Sequence, residues 1–489
     1  MLKVYNTLSG KKEKFIPREE NRVRMYICGL TVQNYSHVGH IRSAVNYDVI
    51  RRYLEYKGFD VYFVQNFTDI NEKIVQRARE EELSPAELAR KYTRAYLEDI
   101  DHLNIMRADA YCTATVNIEH IIEFISRLIE NGYAYQADGN VYFSVEKYDD
   151  YGKLSGRDLE DMEAGSRVSV QEDKKHPQDF ALWKKVSEDI RKQEDVKVWD
   201  SPWGGGWPGW HIECSVMASK LLGNKIDIHG GGTDLIFPHH ENEIAQSEAC
   251  FYEQPFVKYW LHNGTVDIKG EKMSKSLGNF FTTRELYKKF SPDQIRYFLL
   301  AKHYHSPIEF SLEEVENAAV SFGRIENTFE IIRQLSREIP ERSDASFNTE
   351  EFLQMLSEAE KSFEEAMDDD FNTARALGEV HNLVGEINPL VNSPDFELTE
   401  ETGFVLSKAY SLLKTTLATL GFRLGEAKTE NTDSASTDKI DELLDFILEL
   451  REEARKEKNW EQADNIRDGL EDMGITIRDT ARGPVWNRD

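Results

Sequence analysis

The sequence predicts an α/β protein with a parallel sheet near its N-terminus and a long helical region after it. Two apolar segments at 23–28 and 60–67, rich in β-branched and aromatic residues, indicate the strands. An amphipathic helical pattern at 40–57 separates them. Because a strand, a helix and a strand of these lengths favour a right-handed parallel unit, we expect ligands at the carboxyl ends of the strands. The third observation is a 3.6-residue apolar period that dominates after residue 311.

The elements that follow the second strand predict an insertion, at about 112–205, within a first domain at 1–310. The predicted elements are helices at 70–81 and 118–131, a hairpin at 134–145, a strand at 225–229 and a helix that begins at Pro238. The hairpin turn is predicted at Asp138–Gly139, a dipeptide that favours tight hairpin turns. The strand at 225–229 leads into three glycines at 230–232.

The C-terminal third of the chain predicts two further domains joined by a linker. A helical bundle at 311–424 is indicated by four periodic stretches, at 312–335, 352–367, 373–387 and 401–420. Residues 425–437 are polar and lack bulky apolar groups, which predicts a flexible linker. A small domain at 438–489 begins with an amphipathic helix at 439–458, whose inward side chains are predicted to be Leu443, Leu444, Ile447, Leu450 and Ala454.

Composition limits the class of protein. No apolar run approaches the roughly 20 residues that span a bilayer, and residues 1–14 lack the apolar core of a secretion signal, so we expect a cytoplasmic protein. Its four cysteines are too scattered for a disulfide framework. The net charge of −28 argues against general binding of nucleic acid, although a local basic face is sufficient for phosphate.

Two short motifs, H-V-G-H at 37–40 and K-M-S-K-S at 272–276, predict where a nucleotide binds. A helix start favours phosphate through its backbone N–H groups and its dipole. His37 and His40 would add donors near the α-phosphate, and Gly39 would allow close approach of the ribose or adenine. The side chains that suit the β- and γ-phosphates of Mg²⁺-bound ATP are Lys272, Ser274, Lys275 and Ser276. Either motif alone is also typical of a capped helix or a solvated loop, but the ordered pair resembles the nucleotide-activating site of class I aminoacyl-tRNA synthetases.

Four further residues are candidates for metal ligation. His239 and Glu243 stand four residues apart in a predicted helix and share one face. Cys28 ends the first strand, and Cys214 follows the glycine-rich stretch at 204–210. Because neither C-x-x-C nor H-E-x-x-H is present, spacing leaves two interpretations open: shared ligation, or two buried thiols and a surface ion pair.

The chain resembles cysteinyl-tRNA synthetases over almost its whole length. Motifs similar to that family include M-Y-I-C-G-x-T-V at 25–32, P-G-W-H-I-E-C-S at 208–215, G-G-x-D-L-x-F-P-H-H-E-N-E-I-A-Q-S at 231–247, E-K-M-S-K-S-L-G-N-F at 271–280 and W-x-x-A-D-x-I-R-D at 460–468. The resemblance implies a Rossmann-like parallel-sheet catalytic domain with an inserted connective domain, followed by an α-helical, tRNA-binding bundle and a small anticodon-binding domain. It also implies an enzyme that activates L-cysteine with ATP and transfers it to the terminal ribose of tRNA-Cys.

The resemblance assigns a role to each candidate of the amino-acid site. The residues that match the family's zinc ligands are Cys28, Cys214, His239 and Glu243. One Zn²⁺ per chain would then bind the substrate thiolate, which it prefers to a serine hydroxyl, and would select cysteine without editing. The residues implied around the amino acid are Gly29, Thr68, Trp210 and His229. Trp210 would form an apolar wall, and Thr68 or His229 would contact the carboxylate.

Two residues depart from the family pattern. Leu30 stands where the family usually has proline, and Trp207 stands where it usually has arginine. Leu30 frees φ and restores a backbone N–H close to the predicted ATP site. Trp207 removes a charge near the active site in sequence. We therefore expect an effect on efficiency rather than on the chemistry.

The tail predicts a surface for tRNA. The basic and aromatic residues proposed to contact it are Arg451, Arg455, Lys458, Arg482 and Trp486. Basic side chains with interleaved aromatic rings suit phosphates and unpaired bases, and by position this segment matches the family's anticodon-binding tail. Without tRNA contact, the same residues would form a small helical cap with solvated charges. We expect a monomer that does not bind membranes.

Two alternatives compete with a tRNA ligase. One is a related ligase that adds activated cysteine to a small amine, which would need the zinc and ATP sites but neither the bundle nor the basic tail. The other is a non-catalytic paralogue that only binds or regulates. Retention of His37, His40, Lys275 and all four metal-ligand types argues against the second alternative.

Overall fold

The structure is a computed structural model of the 489-residue chain. It describes residues 1–157, 173–191, 193, 195–268, 271–272, 281–337, 347–394, 396–424, 444, 447–448, 450–456, 458–472, 474–480 and 483–488. The chain forms two compact units. The first comprises Met1–Val320, Glu364–Ala376 and Thr419–Phe422, and the second comprises Ser321–Phe363, Leu377–Ala418 and Arg423–Asp489.

A five-stranded parallel sheet forms the centre of the first unit. In spatial order its strands are Val257–Asn263, Ile226–Gly232, Arg22–Thr31, Asp60–Thr68 and Ala110–Thr113. The predicted parallel unit is confirmed, because the helix Val38–Tyr56 connects two adjacent parallel strands. Most residues of the three central strands are buried, as a sheet covered on both faces requires.

Five helices of the first unit begin after a residue whose side chain accepts a hydrogen bond from a backbone N–H of the first turn. Outside the insertion the helices of this unit are Val38–Tyr56, Glu72–Glu80, Pro85–His102, Trp210–Leu222, Glu241–Phe251, Thr283–Leu286 and Pro292–Leu300. Reciprocal capping boxes begin three of them, at Ser84, Thr282 and Ser291. Among the described residues, no helix has the length and apolar character needed to cross a membrane.

Shorter strands complete the first unit. Lys3–Asn6 and Lys11–Lys14 form an antiparallel hairpin. Val266–Ile268 pairs with Glu271–Lys272 on one side and with Ile308–Glu309 on the other. Lys272 is the first residue of the K-M-S-K-S motif, so sheet pairing with Asp267 fixes the backbone at its beginning.

The insertion contains a helix and a small antiparallel sheet. The helix Ile118–Glu130 is followed by strands Ala134–Ala137, Asn140–Phe143 and Phe180–Lys185, and the fourth strand of the sheet, Gly206–Pro208, lies just after the predicted insertion. The predicted hairpin is confirmed, with φ of 41° at Asp138 and 82° at Gly139, the positive values that a tight hairpin turn needs. Trp207 is buried and its indole N–H donates to Lys197 O at 2.8 Å. Trp207, one of the two residues that depart from the family pattern, therefore packs among apolar side chains, and its indole N–H has a hydrogen-bond acceptor.

The prediction that a helix begins at Pro238 is confirmed, although its first residues form a wide turn before the regular α-helix. Phe237 has extended backbone angles (φ −134°, ψ 133°), and a wide turn at Ile236–His240 precedes the α-helix Glu241–Phe251. A proline fixes φ at a helical value but does not fix the start of the regular hydrogen bonds. The consequence is that His239 and His240 lie together in one turn, both buried.

The second unit is largely helical. Long helices contribute to it with most of their residues: Leu312–Leu335, Thr349–Asp368, Thr373–Val391 and Glu400–Thr419. All four predicted helices are confirmed. Their apolar stripes are buried, and Thr328 Oγ1 donates to Asn388 Oδ1 at 2.9 Å between two of them.

The C-terminal segment of the second unit contains the helix Trp460–Asp472 and an antiparallel hairpin, Ile475–Thr480 with Gly483–Arg488. Its apolar cluster is Leu444, Leu448, Leu470 and Ile477. The prediction that Leu450 faces inward is wrong, since it is 40% exposed, whereas Arg451 is only 4% exposed. At 3.6 residues per turn, the residue seven positions after Leu444 shares its face and the residue six positions after it does not. Leu443 lies outside the described residues.

Candidate functional site

Four of the predicted site residues, Cys28, Cys214, His239 and Glu243, lie together beside the central sheet. The Sγ atoms of Cys28 and Cys214 are 3.7 Å apart, and Cys28 Sγ is 3.6 Å from Glu243 Oε1. His239 Nε2 lies 3.0 Å from the same carboxylate oxygen. The elements that supply these side chains are the strand Arg22–Thr31, the helix Trp210–Leu222, the turn Ile236–His240 and the helix Glu241–Phe251.

The arrangement of the four side chains fits a tetrahedral metal ion. One ligand atom from each residue lies within 4.8 Å of all the others. Zinc–sulfur bonds of about 2.3 Å place two sulfurs of a tetrahedral site about 3.8 Å apart, close to the 3.7 Å between Cys28 and Cys214. Two sulfurs, one imidazole nitrogen and one carboxylate oxygen form a donor set that zinc accepts. These residues therefore form a candidate metal centre.

The charges within the centre are strongly coupled. Burial would raise the pKa of Glu243, but His229 and His239 outweigh it and lower the pKa to about 2. Burial would lower the pKa of His239, but Glu243 raises it to about 10. The hydrogen bond from the Cys28 thiol lowers the pKa of Cys214 to about 6, whereas burial and the same contact raise the pKa of Cys28. One thiol thus ionises readily while its neighbour retains its proton.

A second set of ligand atoms overlaps the first, and the sequence did not predict it. It consists of Cys28, His229, His240 and Glu243. His240 Nε2 lies 3.4 Å from Cys28 Sγ, and its Nδ1 lies 2.8 Å from His262 Nε2. The adjacent histidines at 239 and 240 were the available signal, but helical spacing favoured His239 alone because it pairs with Glu243 at four residues.

The residues predicted around the amino acid lie close to this centre. His229 Nε2 is 2.9 Å from Glu243 Oε2, and its ring stacks on Trp260 with centroids 4.5 Å apart. The ring of Trp210, 45% exposed, lies 4.3 Å from that of His239. Of the two, only Trp210 presents a large open surface beside the candidate metal centre.

Gly29 and Thr68 are held by contacts that the sequence did not reveal. Gly29 N donates to Asn66 Oδ1 at 2.9 Å, and a Cβ at position 29 would lie 1.7 Å from Asn66 O. Thr68 Oγ1 donates to Glu213 Oε2 at 2.7 Å, and burial raises the pKa of Glu213 well above its usual range. The Thr68 hydroxyl therefore already donates its hydrogen bond to a buried carboxyl group.

The H-V-G-H motif begins the helix Val38–Tyr56, as the prediction requires. His37 is the N-cap, and its Nδ1 accepts a hydrogen bond from Gly39 N at 3.1 Å. The rings of His37 and His40 stack with centroids 3.6 Å apart. A Cβ at Gly39 would lie 2.9 Å from the His37 ring, so a side chain there would displace the capping imidazole. The motif thus presents two stacked imidazoles at a helix start.

Both ends of the K-M-S-K-S segment are attached near that helix. The backbone of Lys272 pairs with Asp267, and the buried guanidinium of Arg42 donates to Gly264 O at 2.8 Å and Thr265 O at 2.6 Å. After the motif, Thr282 forms a β-bridge with His37. Ser274, Lys275 and Ser276, together with the Lys272 side chain, lie outside the described residues.

The predicted tRNA-contacting residues do not all lie on one exposed face. Arg451 is buried because it shares the face of Leu444, so its side chain does not lie on the surface proposed to contact tRNA. Arg455 Nη1 lies 3.1 Å from Glu452 Oε1, and Lys458 is exposed. Arg482 and the side chain of Trp486 lie outside the described residues.

Comparison with known proteins defines the class of this fold and site. Residues 14–320 match the family described as tRNA synthetases class I (C) catalytic domain. A methionyl-tRNA synthetase of Mycobacterium tuberculosis bound by methionyl-adenylate has a similar fold, with a TM-score of 0.60 and 16% identity over 83% of this chain and 92% of that chain. A leucyl-tRNA synthetase complex of Agrobacterium radiobacter has the same TM-score, with 11% identity and 86% coverage of each chain. The catalytic region is therefore that of a class I aminoacyl-tRNA synthetase.

The rest of the chain and its relatives narrow the family. Residues 362–425 match a DALR domain, and residues 437–486 match a cysteinyl-tRNA ligase anticodon binding domain. The chain is 46% identical to the cysteine–tRNA ligase of Desulforamulus reducens over 100% of both chains, and 47% identical to that of Thermococcus onnurineus over 100% of this chain and 99% of the relative. The chain belongs to the cysteine–tRNA ligase family and is an aminoacyl-tRNA ligase.

Proposed function

We propose that the chain activates L-cysteine with ATP and then transfers it to the 3′-terminal ribose of tRNA-Cys. In the first step a carboxylate oxygen of cysteine attacks the α-phosphorus, the bond to the bridging oxygen breaks and pyrophosphate leaves. In the second, a ribose hydroxyl attacks the carbonyl carbon of cysteinyl-adenylate, and AMP leaves. The proposal rests on one observation: two thiols, an imidazole and a carboxylate converge in a chain that resembles cysteine–tRNA ligases from end to end.

Cys28, Cys214, His239 and Glu243 would hold one Zn²⁺. The ion would supply a coordination position that a cysteine thiolate fills far better than a serine hydroxyl. Glu243 anchors the site by contacting His229 as well as His239, at 2.9 Å and 3.0 Å. Trp210 would cover the amino acid with its exposed ring, and Gly29, Thr68 and His229 would position the rest of it.

Positioning and charge neutralisation are the tasks of the nucleotide site. His37 and His40 would donate to the α-phosphate as negative charge develops there, supported by the helix start. Gly39 would leave room for the nucleoside. Lys272, Ser274 and Lys275 would bind the β- and γ-phosphates of Mg²⁺-bound ATP.

The C-terminal domains would bind the tRNA. We keep the predicted limits of a catalytic domain at 1–310, a bundle at 311–424, a linker at 425–437 and an anticodon-binding domain at 438–489. Arg455, Lys458, Arg482 and Trp486 remain the proposed contacts, while a buried Arg451 would support them from inside the domain. Matches to a DALR domain and an anticodon domain favour tRNA over a small amine as the acceptor.

Three measurements on the purified protein test this function together. We expect about one zinc per chain, ATP–pyrophosphate exchange that depends on cysteine and not on serine, and charging of a tRNA-Cys transcript. Exchange driven by another amino acid would refute the substrate. Exchange without charging would indicate a small-molecule acceptor, and a metal-free protein that still rejects serine would refute selection by zinc.

A further inference from the structure

A chain of three side chains leads from the N-terminal hairpin to the candidate metal centre. Thr7 Oγ1 lies 2.7 Å from His262 Nδ1, His262 Nε2 lies 2.8 Å from His240 Nδ1, and His240 Nε2 lies 3.4 Å from Cys28 Sγ. The two histidines and their nitrogens in these contacts are buried. Thr7 is therefore three contacts away from a proposed ligand, although it is more than twenty residues from Cys28 in sequence.

Thr7 is held in place by the strand that carries His262. Thr7 N donates to Trp260 O at 2.9 Å. The neighbouring Asn6 is buried, and its side chain donates to Lys258 O at 3.0 Å and accepts from Trp260 N at 3.0 Å. These three hydrogen bonds fix the hydroxyl of Thr7 against the His262 ring, so its contact does not depend on a flexible loop.

The direction of the hydrogen bonds follows from counting protons. A neutral imidazole has one N–H and one lone pair, so each ring in the chain donates at one end and accepts at the other. Burial lowers the pKa of His262 to about 3, which keeps this ring neutral. A cysteine that ligates a metal is a thiolate without a proton, so the contact at Cys28 needs a donor. His240 Nε2–H must then donate to sulfur, His262 Nε2–H to His240, and Thr7 O–H to His262.

We propose that Thr7 is a positioning residue of the metal centre, which acts through His262 and His240 to direct an N–H at the Cys28 thiolate. The inference rests on the proposed function, since it requires Cys28 to be a metal ligand. The proposal also implies which of the two overlapping ligand sets binds the metal. A His240 that donates through Nε2 has no lone pair there, so His239 and Cys214 complete the site and His240 stays outside it.

Removing the hydroxyl should weaken this arrangement. In Thr7→Val the Nδ1 lone pair of His262 loses its donor. Either it stays unsatisfied, or both rings change tautomer and His240 turns a lone pair toward the thiolate. Thr7→Ser keeps the hydroxyl and should rescue the site. Ser9→Ala is the matched control, because Ser9 lies in the same segment and its hydroxyl contacts Asn6 O rather than a histidine.

The test measures zinc affinity by competition with a chelator, and the sulfur-to-cobalt charge-transfer absorption of the Co²⁺-substituted protein. We expect Thr7→Val and Thr7→Ala to lose about 10-fold to 100-fold in zinc affinity, with weaker charge-transfer absorption if one thiolate leaves the coordination shell. Thr7→Ser and Ser9→Ala should match the wild type in both measurements. The Michaelis constant for cysteine should rise in Thr7→Val while that for ATP stays unchanged.

Two outcomes would overturn the role of Thr7 but leave the proposed metal site standing. In one, Thr7→Val and Thr7→Ala retain the affinity and spectrum of the wild type. In the other, Thr7→Ser loses as much as Thr7→Val, so that the hydroxyl is not the cause. If the wild type itself shows no sulfur-to-cobalt absorption, the proposed metal site fails first. Thermal unfolding of each metal-free variant, compared with the wild type, separates a local effect from a loss of folding.

Discussion

The strand Arg22–Thr31 carries Cys28 of the candidate metal centre and precedes the H-V-G-H helix start. The two sites differ in the contacts that hold their side chains. Around Glu243, buried side chains contact one another, with Cys28, His229 and His239 between 2.9 and 3.6 Å from its oxygens. At the helix start the contacts are local and the residues are half-buried: His37 Nδ1 accepts from Gly39 N at 3.1 Å, and the His37 ring stacks on that of His40.

This difference indicates what each centre requires from its ligand. In the candidate metal centre, ionised and protonated side chains already contact one another within the protein, so a bound cation would replace protons on sulfur and nitrogen. The helix start provides a dipole and donors that suit an anion, so the phosphates of the ligand would complete it. Substitutions in the first centre should therefore change amino-acid selection, and those in the second should change the rate of phosphate chemistry.

The largest expected effect separates the two centres. Cys214→Ser should lower kcat/KM for cysteine by about 10³-fold or more, because discrimination built on one substrate group reaches about 10⁴–10⁵-fold. The Michaelis constant for ATP should change little. Pyrophosphate exchange with varied cysteine, serine and ATP measures all three quantities. Cys112→Ser is the matched control, since Cys112 is buried and its Sγ contacts Gln65 O rather than the metal centre; equal losses in both variants would contradict a special role for Cys214.

The second largest effect should appear in the rate of phosphate chemistry and not in amino-acid selection. His37→Asn should lower the rate of adenylate formation by about 10²–10³-fold, the value of one donor to developing charge, while zinc content stays unchanged. Asparagine is a good N-cap, so the variant should unfold at the temperature of the wild type. His37→Ala should lose the same activity and, in addition, about 1 kcal/mol of stability. Single-turnover adenylate formation and thermal unfolding check the two parts, and an unchanged rate in both variants would remove His37 from the chemistry.

A smaller effect should leave both centres intact. Deletion of residues 438–489 should reduce tRNA charging by about 10-fold to 100-fold, the contribution of one stacked base, and spare pyrophosphate exchange. Charging and exchange are measured on the same preparation. A truncated protein that charges tRNA as the full chain does would remove the role proposed for the tail.

The smallest effect tests a buried carboxylate whose surroundings differ from those of Glu243. Burial raises the pKa of Asp370 to about 6, although Tyr5 N and the Tyr304 hydroxyl donate to it at 2.7 Å and 3.0 Å. A raised pKa means that the folded state holds the proton more tightly than the unfolded state. Stability from this group is therefore present below about pH 4 and is lost as the pH rises through about 6.

Between about pH 5 and pH 7.5 this loss amounts to about 1.4 kcal/mol. Asp370→Asn should remove that part of the pH dependence, which denaturant unfolding at the two pH values measures against the wild type. Equal slopes in the two proteins would contradict the raised pKa.

The sequence was sufficient for features that local pattern determines. Periodicity predicted the parallel unit and the four long helices, and Asp138–Gly139 predicted the hairpin turn. The four residues assigned by family resemblance to the metal do lie together, but their roles remain predictions. Spacing alone could join only His239 to Glu243, because Cys28 and Cys214 are brought to them by tertiary packing.

Contacts between distant segments account for what was missed. His240 and His262 meet because the wide turn at Ile236–His240 lies beside the strand Val257–Asn263, and no period in the sequence reports that neighbourhood. Arg451 was assigned to the surface by its charge, whereas its helical phase buries it. Trp207 was judged by proximity in sequence to the active site, but it packs in an apolar cluster with residues of the insertion and with Ile70 and Val75.

Gly29 limits how the specificity of this enzyme could be redesigned. Any β-carbon at position 29 would overlap the carbonyl oxygen of Asn66. A library with all amino acids at this position should therefore yield active enzyme only with glycine, and its other members can serve as inactive controls. Enlarging the proposed amino-acid site for bulkier thiol-containing amino acids would instead start at the exposed indole of Trp210.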